Sequence, residues 1–592
     1  MHALNFPLHP SLLSCLLCCL LMPAMSLSAQ TVPQPSNYVP VSDAILQQPA
    51  DADWMMWRRT LNSWGFSPLR EIDRENVKNL ELVWSSPLAE GIQEGTPLVY
   101  GGIMYMPNPG DVIQAMDAAT GKLIWEYRRD IPADITDYIP ATTTNRSLAI
   151  YNDAIIYTSN DDYIVALDVH SGKVKWESQI FDYHTHPAQQ SGGPIIIGGK
   201  AISGRGCMPA GGPEACVITA HDANTGKELW RLNTIQRPGE GEVDSWGGIP
   251  WEERWHVGAW MMPSYDPELN LLYMGTSVTA PSPKFLLAGN EHEYLYHNST
   301  LAISPDTGKI VWYYQHNVDH WDLDHPFERL LVDTEVSPDP ASVAWINPDI
   351  EAGRVYKTLT GIPGKTGLVY TLNRENGDFL WARPTVHQTV VAGIDGVSGK
   401  VRVNPAMLFT ATGQQIEVCP ALSGGKNWQA GAYSPLTNMM YYPLQNTCAD
   451  VTVTMDAPDS EQLYGIFGRE KLTPGIEKGG TIEAISAQTG KSAWKYEQRG
   501  TTMSLLTTGG GLLFGGDIAG EFRALDQETG AVLWQTSLGS SVTGYPVSFA
   551  VNGRQYIAVG TGSSVTTDSQ ARLSPEIKAG RENLLYVFAL PQ

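Results

Sequence analysis

The chain has 592 residues and carries 39 Lys and Arg against 62 Asp and Glu, a formal charge of −23. That acidity excludes nucleic acid or an anionic membrane as the partner, because neutralising phosphates needs clustered cations. Only 17% of residues are charged while Gly (57), Pro (40) and Trp (18) are abundant, which excludes a helical bundle or a disordered chain and fits a large, turn-rich β protein.

The first element is SLLSCLLCCLLMPAM (11–25), an apolar core followed by the small residues Ser26, Ser28 and Ala29. It reads as a secretory leader, so residues 1–29 are expected to be removed and 30–592 to be the mature protein. No Lys or Arg precedes the core, a departure from the usual leader, and the run is shorter than the roughly 20 residues of a membrane-spanning helix. No other apolar run of 18 residues follows, so an exported, periplasmic protein without a membrane span is expected. Removing the leader removes Cys15, Cys18 and Cys19 and leaves Cys207, Cys216, Cys419 and Cys448. Four cysteines allow three connectivities. In an oxidising compartment two disulfides are expected rather than free thiols, and we favour the sequence-local pairs Cys207–Cys216 and Cys419–Cys448. No Cys-x-x-Cys-His occurs in the mature chain, so no c-type haem is expected on it.

From residue 115 a short motif recurs: AMDAATGKLIW (115–125), ALDVHSGKVKW (166–176), AHDANTGKELW (220–230) and AISPDTGKIVW (302–312). It returns as TLNRENGDFLW (371–381), AISAQTGKSAW (484–494) and ALDQETGAVLW (524–534). Each copy predicts a strand ending near Asp or Ser, a turn whose Gly takes positive φ, and a second strand ending in Trp. Trp is thereby set to wedge between neighbouring units. Two further apolar strands precede each copy, as in GTPLVYGGIMYM (95–106), and units of four short strands predict a propeller. After Trp534, YPVSFAV, RQYIAVG and LLYVFAL give three strands without a closing Trp. The missing strand is NLELVWS (79–85), which carries Trp84. Seven complete units and one assembled from both termini predict an all-β, eight-bladed propeller whose ring leaves no sheet edge open. The long interval from Trp381 to Trp494 is read as one blade with an insertion over 447–478, which contains Cys448.

This architecture, with A-x-D-x-x-TGK-x-x-W repeated in an exported acidic chain, resembles the pyrroloquinoline quinone-dependent alcohol dehydrogenases over nearly the whole mature chain. The repeat is only moderately specific, because non-enzymatic envelope propellers carry similar motifs; residues of the inter-blade loops decide. IQEGTPLV (92–99) is similar to the family segment whose Glu, here Glu94, bonds the acidic edge of the quinone. TTNRSLAIY (143–151) offers Arg146 to a cofactor carboxylate, for which a forked donor is suited. SGGPIII (191–197) offers Ser191 to another. GAWMMPSYDPELNLLYMGT (258–276) implies Trp260 as the flat floor under the tricyclic ring. GKTGLVY (364–370) implies Lys365 at the quinone carbonyls, GGKNWQAGAYSP (424–435) implies Asn427 near the base, and DHWDLDH (319–325) implies Asp322 as the catalytic base. Taken singly, Trp260 reads as core packing, Asp322 as a turn residue, and Arg146 and Lys365 as surface cations. Their joint occurrence carries the resemblance.

The departures are specific. The two adjacent cysteines of methanol-type members fall on Pro140 and Ala141. The family's metal-ligating Asn falls on Val278, and its Glu has no clear counterpart in SGRGCMPAGGPEAC (203–216), where Glu214 is the only carboxylate. Asp324 offers a second carboxylate beside Asp322. Oxygen ligands suit hard cations, and Ca2+ is expected, with Mg2+ or a lanthanide as alternatives. A pocket Trp of small-alcohol enzymes aligns near Thr501, and a second is replaced within GTGSSVTT (560–567), so a wider, more polar entrance and a bulky or secondary alcohol are expected. No G-x-G-x-x-G follows a predicted strand, GIPGKT (361–366) lacks the first Gly of a phosphate loop, and HEYLYH (292–297) is mis-spaced for zinc. No nucleophile elbow is present. The resemblance implies alcohol oxidation with bound pyrroloquinoline quinone, electrons leaving to a separate acceptor such as a cytochrome c. The rival expectation is a catalytically silent binding scaffold.

Overall fold

Each repeat folds around its own turn. In the computed structural model, which describes residues 38–139, 144–317 and 321–592, Asp117 Oδ1 accepts bonds from the amides of Ala119 and Thr120 and from the Thr120 hydroxyl. The Gly121 amide closes on the Asp117 carbonyl at 2.8 Å, with Gly121 at φ +73°. Asp168, Asp222 and Asp526 build the same turn. Side-chain acceptors of this kind are what Asp brings to a tight turn. The leader (1–29), Pro140 and Ala141 lie outside the described residues.

The glycine does a second job. A Cβ at Gly121 would sit 2.5 Å from the Trp84 ring, one at Gly172 2.5 Å from Trp125, and one at Gly226 2.5 Å from Trp176. The series continues with Gly308 against Trp230, Gly377 against Trp312, Gly490 against Trp381 and Gly530 against Trp494. Seven of the eight repeat tryptophans therefore pack on the turn of the next sheet, as the repeat predicted, and Trp534 is the exception. Several add an indole N–H bond across the gap, Trp125 to the Val169 carbonyl at 2.9 Å and Trp230 to the Pro305 carbonyl at 2.9 Å, satisfying the polar edge of a ring that is mostly buried. A bulge immediately before the tryptophan sets it opposite the small residue of the motif, Trp125 across from Ala115 and Trp176 across from Ala166, and bulges re-aim side chains in this way.

Among the described residues there are eight antiparallel sheets of four or five strands. The first, Leu98–Tyr100, Ile103–Asn108, Val112–Asp117 and Leu123–Arg128, is typical: Ile103–Asn108 is wholly buried, while Leu123–Arg128 buries only Trp125. The last sheet is closed by the N-terminal strand Glu81–Pro87, paired with Leu584–Ala589 in the register Glu81↔Ala589. Its neighbour across the repeat is reached by Trp534, 5.4 Å from Phe588. The fold is all-β and propeller-like. Phe66–Ser67 adds a short parallel strand to the sheet of Trp534, and Trp345–Ile346 flanks that of Trp381, neither of which the repeat signals.

Met439–Gln445 pairs directly with Gly480–Ser486, so 446–479 leaves and rejoins one sheet, within a residue of the expected insertion. Inside it Thr447–Val453 and Ile466–Leu472 form a hairpin that Gln415–Val418 joins. Both expected disulfides form, Cys207–Cys216 and Cys419–Cys448, and the second ties this extra sheet to the preceding loop. No helix among the described residues is long and apolar enough to cross a membrane.

Candidate active site

The loops between sheets converge on a cavity of about 440 Å³, within the 300–1,000 Å³ range of small-molecule sites. Arg146, Ser191, Trp260, Asp322, Asp324, Lys365 and Asn427 all line it. Seven of the eight residues expected at the site thus open on one space. Glu94, the eighth, is fully buried behind Arg146.

Trp260 is half-buried and presents its indole to the cavity, with the Arg146 guanidinium 5.2 Å from the ring and Phe327 edge-on at 5.5 Å. Glycines allow this crowding: a Cβ at Gly192, beside Ser191, would lie 2.9 Å from the Trp260 carbonyl. Arg146 is held by the Glu94 carboxylate at 2.5 Å and by the Ser191 carbonyl at 3.3 Å. Glu94 Oε1 in turn accepts the Val565 amide at 2.9 Å. Burial pushes the Glu94 carboxyl up, against the pull of Arg146. Two polar atoms of this wall, Arg146 Nε and Thr144 Oγ1, are buried without a hydrogen-bond partner among the described residues. A flat ring floor beside unsatisfied donors is a receptor for a planar, anionic, oxygen-rich molecule.

The same lining carries a pair of carboxylates beside a lysine. Lys365 Nζ donates to Asp322 Oδ1 at 2.5 Å and lies 3.8 Å from Asp324 Oδ2. Burial pushes the Asp322 carboxyl above the ordinary carboxylate range, Asp324 adds to the push, and Lys365 opposes it. Asp324 Oδ1 accepts the Val278 amide at 3.0 Å. The residue that replaces a metal-ligating Asn by resemblance therefore serves the site through its backbone. Asn427 is spanned by local bonds, Nδ2 to the Ser423 carbonyl at 2.9 Å and Oδ1 from the Trp428 amide at 2.8 Å. His256 also lines the cavity; burial holds its imidazole below the usual range, with Ser277 Oγ 3.4 Å from Nε2.

Glu214 does not reach the site. It pairs with Arg237 at 3.2 Å, accepts the Trp251 indole N–H, and is 47% exposed. Among the described residues no group of three or more His, Cys, Asp and Glu is gathered for a metal, and Asp322 with Asp324 remains the carboxylate pair.

Thr501 is buried in bonds to the Leu444 carbonyl and does not line the cavity. Two late segments of the chain complete the lining of the cavity. Thr566 and Ser569, on or beside a helix over Thr567–Leu573, line it, together with Leu463, Tyr464 and Glu470 of the insertion. Ser569, Glu470 and the exposed Arg572 add polar groups to the lining. None of these positions carries a sequence signal, because the repeat pattern is silent on insertions.

A profile described as the pyrroloquinoline quinone glucose/ethanol/alcohol dehydrogenase β-propeller domain matches residues 54–395 and 477–557. The dehydrogenase subunit of a quinone alcohol dehydrogenase from Komagataeibacter europaeus is 30% identical over 546 residues, 86% of this chain and 71% of that protein. Quinoprotein alcohol dehydrogenase PedH of Pseudomonas putida is 29% identical over 602 residues, 96% of each chain. A solved europium-containing methanol dehydrogenase superposes with a TM-score of 0.82 at 25% identity, covering 92% of this chain and 99% of its own.

Proposed function

Because this chain belongs to the pyrroloquinoline quinone-dependent alcohol dehydrogenase family, we propose that its cavity binds that quinone over Trp260 and a divalent cation at Asp322 and Asp324. It oxidises alcohols and hands the electrons to an external acceptor. The observation that carries the site reading is one cavity holding both the Trp260 floor with its Arg146–Glu94 pair and the Lys365–Asp322 pair. Arg146 Nε and Thr144 Oγ1, buried without a partner among the described residues, fit a cofactor rich in carboxylate and carbonyl oxygens.

Arg146 and Ser191 would hold the carboxylates of the cofactor, Glu94 keeps the Arg146 guanidinium oriented, and Lys365 would serve the quinone carbonyls. Asn427 lies near the base. Bound in this cavity, the quinone supplies the two-electron oxidising chemistry. Asp322 takes the proton of the alcohol hydroxyl as general base. Two carboxylates are hard donors suited to Ca2+, with Mg2+ or a lanthanide as alternatives. The rest of its six to eight oxygens would come from cofactor and water.

The eight sheets are the blades of one closed ring formed by residues 30–592 behind a cleaved leader. The Trp-to-turn contacts of successive sheets and the Glu81–Pro87 pairing with Leu584–Ala589 support that count. Two disulfides support an oxidising, periplasmic compartment, and a soluble cytochrome c suits an acceptor role. The substrate is a bulky or secondary alcohol, supported by an entrance walled by loops rather than by paired tryptophans. Reconstituting metal-free protein with quinone and Ca2+, then following dye reduction over primary, secondary and cyclic alcohols, tests the assignment. Activity should require both additions and favour the larger alcohols. No dye reduction on any alcohol, or a preference for methanol, would contradict it.

A further inference from the structure

Of the residues that the insertion 446–479 adds to the cavity lining, Tyr464 reaches Asp322. Tyr464, from the tip of its hairpin, donates its phenol to Asp322 Oδ1 at 3.2 Å, the same oxygen that accepts Lys365 Nζ at 2.5 Å. Among the described residues no hydrogen bond falls on Asp322 Oδ2.

Tyr464 is fixed by its backbone. The Ser282 amide donates to the Leu463 carbonyl at 3.2 Å, and the Gly465 amide donates to the Ser282 carbonyl at 2.7 Å, so two bonds bracket the residue. Gly465 permits the approach, since a Cβ there would lie 2.7 Å from Leu286 and 2.8 Å from Met455. The open end of the hairpin is anchored as well. Cys448 crosslinks it to Cys419. Glu470 accepts the Ser423 amide at 2.9 Å and a bond from Ser569 in the C-terminal helix. The tyrosine thus sits in a connection held by the Ser282 bonds, beside a strand pair fixed at its open end by three attachments. The residues 396–476 that contain it fall between the two stretches matched by the family profile.

We infer that Tyr464 is a positioning residue for the proposed base: with Lys365 it pins Oδ1 of Asp322 and so leaves Oδ2 to receive the alcohol proton. A carboxylate held by one donor can rotate about its Cβ–Cγ bond. Two donors on the same oxygen, from different directions, remove that freedom, and catalytic groups held to within about 0.5 Å are what efficient proton transfer requires. The inference rests on Asp322 being the base, and the test separates the two.

Tyr464→Phe keeps the ring, and its packing under the hairpin, and deletes only the donor. In the quinone- and Ca2+-loaded protein it should lower kcat about tenfold for every alcohol and leave KM unchanged. Quenching of tryptophan fluorescence by added quinone and the thermal midpoint should match wild type, which shows that the fold and cofactor uptake survive. Asp322→Asn, measured beside it, should be inactive. An unchanged kcat in Tyr464→Phe beside a dead Asp322→Asn would overturn the positioning role and leave the base in place. A raised KM at constant kcat, or lost quinone quenching, would overturn it as well, by assigning Tyr464 to substrate or cofactor binding. An active Asp322→Asn would remove the base, and with it the role of Tyr464.

Discussion

Arg146 and Glu94 form a buried ion pair, 4% and 0% exposed at 2.5 Å, and such pairs are costly to break from one side. Glu94→Gln leaves the guanidinium in a dry cavity wall, and should lower stability by about 3–5 kcal/mol in denaturant unfolding. If Arg146 receives a cofactor carboxylate, quinone replaces the missing partner. It should then raise the thermal midpoint of the variant more than that of wild type, since a ligand stabilises according to its preference for the folded state. An equal rise in both proteins would remove Arg146 from the cofactor contact. The positions were readable residue by residue through resemblance. The Glu94–Arg146 pairing was not, because it joins two loops 52 positions apart and no local pattern encodes it. Glu214 failed for the converse reason: its segment offered a carboxylate, but Arg237 and Trp251 draw it to the surface.

At the scale of the element, the Trp–Gly contact holds the repeat together. Gly172 combines φ +67° with a Cβ position 2.5 Å from Trp125, so Gly172→Ala incurs both a left-handed backbone, about 1–2 kcal/mol, and overpacking, about 1–3 kcal/mol. Gly101 has φ +59° and open space around it, so Gly101→Ala carries only the first cost. Urea unfolding of the two variants should therefore differ, Gly172→Ala being the less stable by at least about 1 kcal/mol; equal losses would mean that the tryptophan does not dock on the turn. This element was legible because Asp, Gly and Trp act within eleven residues. A further turn of the same build, Asp395 to Gly399, escaped notice. Its hairpin, Val391–Ile394 with Val401–Val403, lacks the tryptophan. The helix Thr567–Leu573 escaped as well, for its polar sequence has no apolar stripe and its Thr567, Ser569 and Gln570 are buried by tertiary contact.

The whole molecule buries histidines that stay neutral. His221 is fully buried near Arg205 and Arg231, with Glu228 3.8 Å away, and burial holds its imidazole down to about 4. The unfolded chain takes up that proton near pH 6.5. Below that pH the unfolded state binds more protons than the folded one, so stability is full above about 6.5 and falls as pH drops towards 4. The slope is at most about 1.4 kcal/mol per pH unit. His221→Leu should flatten this acid limb in unfolding experiments between pH 6.5 and 4, and an unchanged slope would show that His221 is charged in the fold. The series of sheets and the strand Glu81–Pro87 that completes the last one were legible from both ends of the chain. The cavity roof was not, because an insertion is positioned by whatever surface it lands on.

The central claim is that Asp322 and the quinone act on an alcohol in one cavity. Mixing quinone- and Ca2+-loaded protein anaerobically with a single bulky secondary alcohol, without acceptor, tests it most directly by absorbance. The account predicts conversion of one equivalent of bound quinone per chain in wild type and none in Asp322→Asn. An absent change in wild type, or the same change in both proteins, would contradict it.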